Sequence, residues 1–443
     1  MSPIRMLFAL GGLLLATSGR AVAADAFEEP PIRYSARTPR DRVAALQARI
    51  ARGEWRPTGD APAQLAALLR ELDVPISSQL LVFSRTSLQR TRIRPDHPRA
   101  IYFNDSCYVG WVPGGLIEVT AIDPELGPVF YAFSPAAAAR GRPAFEREAD
   151  CLRCHGGTFV RDVPAVFARS VFPDADGEPL LRQGTVVVDY RTPFAERWGG
   201  WYVTGRHGLA LHRGNQTARE EGDALVFDPA AGANVTDLAG RLDLSAYPVR
   251  TSDIVALLVF EHQLAVQNAI TRAGFATRRM IDYQRNLQRA FHEPESDEPS
   301  YDSVRSVVSG AAREVVDALL AHREATLPDG VAGDPAFSAA FEAAGPRTAS
   351  GASLRELALA GGRVFRNRCS PLIYSEAFLG LPVPLLSGIY KTLHAALESP
   401  EGAERYRHLD AAERARLTVI LRETHAGYAA FAAARPGAGG RVD

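Results

Sequence analysis

The segment DCLRCHGG constrains the fold more than any other part of this sequence. It contains Cys151 and Cys154, two of only four cysteines among 443 residues, and His155 follows directly. On a helical turn this spacing lets both thiols form thioethers with the two vinyl groups of a haem while the imidazole binds the iron. The Gly-Gly pair leaves the backbone room to turn away beneath the ring. The pattern predicts one covalent haem c, attached through Cys151 and Cys154, with His155 as proximal ligand.

Two other kinds of site contain the same cysteine spacing. A thioredoxin-like dithiol belongs in a βαβ unit, and neither the preceding PAFEREAD nor the following glycines supply that context. A zinc site needs two further cysteines or histidines at close spacing, and no such pair lies nearby. Both alternatives stay open, and haem c is the favoured interpretation.

The beginning of the chain has the pattern of an export signal. Arg5 precedes an apolar run from Met6 to Ala16, and the AVA motif before Ala24 forms a small-x-small cleavage site. The apolar run is shorter than the ~20 residues that span a bilayer, and no other stretch comes close. We expect a signal peptide at residues 1–23 and a periplasmic mature protein without a transmembrane segment. Because haem c is attached outside the cytoplasm, the export signal supports the haem c prediction independently of the cysteine motif.

The charge balance excludes one class of partner. The chain has 50 basic and 51 acidic residues, a formal charge of −1. Removal of the signal peptide takes away two arginines and no acids, which leaves 48 against 51, or −3. A near-neutral chain argues against a nucleic-acid binder. We expect a redox partner protein and no nucleic acid.

The hydrophobic pattern changes along the chain and predicts the order of its elements. Short β-rich runs separated by Gly, Pro, Asn and Asp occupy residues 74–134, with IDPELGP as a hairpin turn, and favour an antiparallel meander. The runs AVFARSVF and GTVVVDY predict two more strands, the first closed by the turn PDADGEP. From Ser252 to about Phe291 the spacing is that of a long helix without proline.

The sequence pattern of the second half of the chain predicts helices. The acidic, proline-bearing HEPESDEPS is predicted to be a linker. Further helices are expected near residues 301–325, 353–367, 384–398 and 410–424. The sequence thus predicts an α+β fold, mainly α, in four parts. They are an N-terminal domain with the meander (24–140), a haem c-binding region with the long helix (141–292), a helical C-terminal region (301–434) and a disordered tail (435–443).

Several segments together resemble a family of exported bacterial proteins described only as containing a cytochrome c domain. They are the single CxxCH motif, AIYFNDSCYVGWVPGG, ARSVFPDADGEPLL, ERWGGWYVTGRHG, LLVFEHQ and CSPLIYSEAF. The resemblance covers nearly the whole mature chain. It implies haem c and export to the periplasm, and it implies no particular reaction.

The sixth iron ligand separates a carrier from a catalyst. A methionine or histidine there gives a closed site for electron transfer, whereas an open position lets peroxide, oxygen or another small ligand bind. Our candidate is His207, in the glycine-rich loop WGGWYVTGRHG, where small residues allow close approach and tryptophans can cover a porphyrin edge. The alternatives are His262, on the apolar stripe of the long helix, and Met280, the only methionine of the mature chain. Each also has a structural interpretation: a loop-bracing hydrogen bond, a core histidine, or packing.

Two further groups of residues bear on the cofactor and on stability. The stretch RTSLQRTRIR, residues 85–94, has four arginines and no acid. These arginines either pair with the haem propionates or form a solvated basic face. Cys107 and Cys369 either form a disulfide or remain two separate buried thiols.

The sequence predicts a periplasmic monohaem c-type cytochrome that transfers electrons. One alternative is a peroxidase-like or oxygen-activating haem enzyme, with His207 or His262 as distal acid/base. Another is a haem-based sensor of a small ligand. The size of the chain favours these alternatives more than it would for an ordinary carrier, because moving one electron needs only a small fold.

Overall fold

A six-stranded antiparallel sheet forms the N-terminal part of the protein. The computed structural model describes residues 25–434, so the predicted signal peptide and tail lie outside the described residues. The strands follow one another across the sheet in chain order, and the predicted meander is confirmed. They are β1 (Leu80–Val82), β2 (Arg99–Phe103), β3 (Cys107–Trp111), β4 (Ile117–Asp123), β5 (Gly127–Phe133) and β6 (Phe145–Arg147).

Side chains alternate between the two faces of the sheet, and the two faces have different neighbours. On β4, Ile117, Val119 and Ala121 are buried in a core shared with the N-terminal helices α1 (Arg42–Ala51) and α2 (Ala61–Glu71). The residues between them, Glu118 and Thr120, are only half-buried. Because consecutive residues of a strand point to opposite faces, this pattern marks the second face as the wall of an open space.

The hairpin between β4 and β5 forms at the predicted IDPELGP turn. Asp123 Oδ1 accepts hydrogen bonds from the backbone amides of Glu125 and Leu126, both at 2.7 Å. Gly127 has a φ of 68°, and a Cβ there would lie 2.5 Å from Thr271 Cγ2. Only glycine therefore fits this position, where the hairpin meets the long helix.

Two short hairpins and twelve α-helices complete the described part of the chain. The remaining strands pair as β7 (Ala168–Val171) with β8 (Thr185–Val188), as predicted, and as β9 (Arg219–Glu221) with β10 (Ala224–Val226). The other helices are α3 (Pro135–Ala139), α4 (Leu152–His155), α5 (Ile254–Ala290), α6 (Asp302–Leu319), α7 (Pro335–Ala343), α8 (Glu376–Leu379), α9 (Val383–Glu398), α10 (Pro400–Arg405), α11 (Ala411–Thr424) and α12 (Ala426–Ala433). With 41% helix and 13% strand, the predicted α+β, mainly α class is confirmed.

Helix α5 is the central element of the larger core. It begins at the N-cap Asp253, whose side chain accepts a hydrogen bond from Ala256 N, and its first five turns are buried on nearly all sides. Helix α6 packs along it, and the second face of the sheet meets it through Phe103 and Tyr108. The helix is long and apolar enough to cross a membrane by length and composition. Its apolar window is 89% buried within the protein, so other parts of the chain cover most of that surface.

One predicted helix is wrong. Residues 353–367 form irregular structure with a single 3-10 turn, Leu359–Gly361. The chain reverses there at Gly362, which has a φ of 69°, and Asn367 Nδ2 donates to Ser353 O. The turn chemistry of the Gly-Gly pair overrides the apolar spacing. Three other predicted helices are present: α6 near 301–325, α9 near 384–398 and α11 near 410–424. Helix α7 was not predicted. The domain boundaries stay predictions.

Candidate functional site

The DCLRCHGG segment folds into one tight helical turn. A 3-10 turn, Ala149–Cys151, runs directly into α4, and the amide of Gly156 closes it on Leu152 O at 2.8 Å. A Cβ on Gly156 would lie 3.0 Å from Leu152 O and from Phe27 Cζ, so the first glycine allows a close approach to the N-terminal segment. Cys151 is half-buried and Cys154 is exposed. Two thiols and an imidazole are thereby held within five residues of helical backbone.

Both thiols and His155 line a single cavity of about 600 Å³. Its floor is the second face of the sheet, where Ile101, Tyr108, Gly110, Glu118, Thr120 and Phe130 point inward. Phe260 and Leu264 of α5 and the indole of Trp201 form the opposite side. Trp201 is fixed by a hydrogen bond from its Nε1 to Arg169 O, at 2.8 Å. The cavity is within the range of ~300–1,000 Å³ typical of small-molecule and cofactor pockets.

His155 is held in one orientation and one tautomer. Its Nδ1 lies 2.8 Å from Ala165 O, and since a carbonyl only accepts, Nδ1 carries the proton. Its Nε2 has no hydrogen-bond partner among residues 25–434. The ring lies between Phe130 and Phe167, at centroid distances of 4.9 and 4.6 Å. Burial lowers the pKa of His155 to about 4, so at neutral pH the free Nε2 carries a lone pair that can bind a metal ion.

The environment of Cys151 does not favour a reactive thiolate. Burial raises the pKa of its thiol to about 12, and the negative charge of Glu118 acts in the same direction. Nucleophilic dithiols instead have cysteines with a lowered pKa. Within the described part of the chain, no group of three or more His, Cys, Asp or Glu residues is arranged to hold a metal ion. The raised pKa of Cys151 thus differs from that of the nucleophilic cysteine of a thioredoxin-like dithiol.

Five arginines line the same cavity: Arg85, Arg90, Arg99, Arg153 and Arg169. Three of them have acidic partners, at 3.4 Å for Arg85 with Glu178, 2.5 Å for Arg99 with Glu118 and 3.8 Å for Arg153 with Asp150. Over the described ranges, Arg90 and Arg169 have no acidic partner. The cavity wall therefore carries two cations that no carboxylate of the described chain compensates.

The structure does not bring His207 to this cavity. The glycine-rich loop reaches it through Trp201, while the ring of His207 packs against His212 at 4.7 Å and Phe194 at 5.5 Å. Its Nε2 accepts a hydrogen bond from Asn234 N at 2.9 Å, which is the loop-bracing arrangement. A single-sequence pattern could place the loop near the cofactor but could not give the direction of each side chain.

The two alternative ligands also lie elsewhere. His262 is buried between Tyr190 and Phe365, with ring centroids 4.8 Å from each, and neither of its nitrogens has a partner in the described chain. Met280 packs on a small cluster with Val304 and Val308 near the end of α5. Neither residue lines the cavity that contains His155.

Cys107 and Cys369 are two separate buried free thiols, which is the second of the two sequence alternatives. The motifs did not identify Arg99, Glu118 or Phe130 as lining residues. For Arg99 and Glu118 the signal is the alternation in RAIYF and LIEVTAI, where a charged residue occupies an inward position on a strand. Comparison with family models, with curated proteins and with solved structures finds no match to this chain.

Proposed function

We propose that this protein is an exported, periplasmic haem c protein with a single covalent haem. In this proposal Cys151 and Cys154 carry the haem as thioethers and His155 binds its iron through Nε2. The supporting observation is that one helical turn brings Cys151, Cys154 and His155 to the lining of the same 600 Å³ cavity, while Nε2 of His155 has no partner in the described chain. The resemblance of the sequence to exported cytochrome c domain proteins agrees with it.

The residues present fit the group. The side chains of Trp201, Phe260 and Leu264 would provide apolar walls that exclude water from the group. Donation from Nδ1 to Ala165 O fixes the neutral tautomer that a metal-binding histidine needs. Haem brings two propionates, and Arg90 and Arg169 supply two uncompensated cations for them. Of the four arginines at 85–94, this pairing would use Arg90 alone, because Arg85 pairs with Glu178 and Arg92 and Arg94 do not line the cavity.

A bound haem supplies one-electron redox chemistry and a coordination position for a small ligand. No second histidine and no methionine occurs among the described residues of the cavity lining. The tyrosines that line it have other partners: Tyr131 donates to Asp41 Oδ2 at 2.7 Å, and Tyr108 accepts from Gln263 at 3.0 Å. We therefore infer that the sixth position is open, and that the protein is a ligand-binding haem enzyme or sensor.

Electron transfer is the second candidate. Cys154 is exposed and Arg153 beside it is largely solvated, so an edge of the cofactor would lie near the surface. A surface edge is what a redox partner protein requires. The two functions differ in the sixth ligand, which makes them separable by spectroscopy.

An optical spectrum of the purified protein, oxidised and reduced, tests this proposal. With an open position, the ferric protein is expected to be high-spin and the ferrous protein to bind carbon monoxide at once. The His207→Ala variant is expected to give the same spectrum as the wild type, because His207 does not line the cavity. A low-spin wild type that becomes high-spin in His207→Ala would instead establish the closed carrier site.

A further inference from the structure

Two charged side chains sit on the floor of the cavity, on strands of the sheet. Arg99 of β2 and Glu118 of β4 are only 21% and 19% exposed, and Nη2 of the arginine lies 2.5 Å from Oε2 of the glutamate. Removing two charges from water on an apolar wall costs free energy that a hydrophobic pair would not. Since the few polar groups on the wall of a pocket orient what it binds, a pair kept in such a place points to a role in binding.

The guanidinium occupies a space made for it. Gly110 of β3 pairs in register with Glu118 of β4 and with Ile101 of β2, two residues from Arg99. A Cβ on Gly110 would stand 2.2 Å from Arg99 Nη2 and 2.7 Å from its Cζ. Only glycine at this position lets the arginine lie flat across the strand and reach the glutamate.

The arginine keeps part of its hydrogen-bonding capacity. Its Nη2 faces Glu118, but its Nε is buried without a partner in the described chain. The equally half-buried Arg85 of the cavity instead donates from Nε to Ile93 O at 2.9 Å. An unused donor on a cavity wall is available to whatever the cavity holds.

We propose that Arg99 is the anion-recognition residue of this cavity, and that its ligand class is small inorganic anions that enter the cavity. Glu118 holds the guanidinium in place over Gly110. This inference rests on the proposed haem, and it adds the class of ligand and the side chain that selects it.

Fluoride titration of the ferric holoprotein, followed by its optical spectrum, tests the inference. Replacement of Arg99 by Gln should weaken fluoride binding about 10- to 100-fold, the effect of losing a charged hydrogen bond. Arg153→Gln is the matched control, because it removes the same charge from the exposed rim of the same cavity. Its affinity should stay within about threefold of the wild type, since exposed charges are screened.

Two further variants keep the positive charge. Arg99→Lys removes the planar donor set, and Gly110→Ala displaces the guanidinium; both should weaken fluoride binding in the same direction. If Arg99→Gln does not fold, Arg99→Lys carries the test alone. Equal fluoride affinity in wild type and Arg99→Lys, or a haem-loaded wild type that ignores fluoride, would overturn the inference. A protein without haem would instead refute the proposed function.

Discussion

The imidazole of His155 has two nitrogens, and the fold uses only one of them. Nδ1 donates to Ala165 O, and the amide of Ala165 donates back to His155 O, both at 2.8 Å. This pair of hydrogen bonds closes the ten-residue loop behind the motif. A residue whose remaining nitrogen is both fixed and unpartnered in a cavity is prepared to bind a metal ion.

At the residue scale, the two cysteines of the motif should differ in reactivity before haem is attached. Burial raises the pKa of the Cys151 thiol to about 12, whereas Cys154 is exposed. In haem-free protein at pH 8, iodoacetamide should therefore modify Cys154 first, because the thiolate is the nucleophile. Peptide mass spectrometry over time gives the order.

The Glu118→Gln variant is the control for this prediction. Glu118 raises the pKa of Cys151 through its charge, so its neutralisation should speed the modification of Cys151 and leave Cys154 unaffected. Modification of Cys151 ahead of Cys154 in the wild type would contradict the burial seen in the structure.

Helix α5 carries a buried acidic residue in its third turn. Glu261 accepts hydrogen bonds from Arg197 Nη1 at 2.8 Å and from Trp198 Nε1 at 2.6 Å, and both partners come from the loop that also supplies Trp201. Burial raises the pKa of Glu261 to about 7 even though Arg197 opposes that shift. The pair thus ties the loop on the cavity wall to the helix behind it.

At the element scale, Arg197→Met should destabilise the protein by about 3–5 kcal/mol, since it leaves the carboxylate of Glu261 buried without its cation. Urea unfolding at neutral pH measures the decrease in the free energy of unfolding. Adding Glu261→Leu should restore most of that free energy. Arg305→Met removes an exposed ion pair with Asp302 and should cost only about 0–1 kcal/mol. Equal losses in Arg197→Met and Arg305→Met would rule out this role for the buried pair.

Elements with strong periodicity were predictable from the sequence, and those set by turns were not. The meander and α5 follow directly from alternation and from a long proline-free apolar stripe. Helices α1 and α2 were missed although Asp41 and Asp60 are N-caps, each accepting a backbone hydrogen bond three residues on. The segment 353–367, which was wrongly predicted to be a helix, contains Gly361 and Gly362, where the chain reverses.

At the scale of the whole molecule, the candidate site joins segments far apart in the chain. The motif turn, strands β2 to β5, the loop with Trp201 and helix α5 all contribute to one cavity. The sequence could identify Cys151, Cys154 and His155 because their spacing is local. It could not identify Arg99, or the distance of His207 from the cavity, because both depend on how remote elements pack.

The central claim is that one haem is bound covalently at Cys151 and Cys154, and the intact mass of periplasmic protein tests it most directly. The protein should be made with a working haem-attachment system, and its mass should equal that of the processed polypeptide plus one haem. The colour should remain with the polypeptide after acid-acetone extraction, and a Cys151→Ala, Cys154→Ala double variant should lose it. A colourless wild type of unmodified mass would contradict the account.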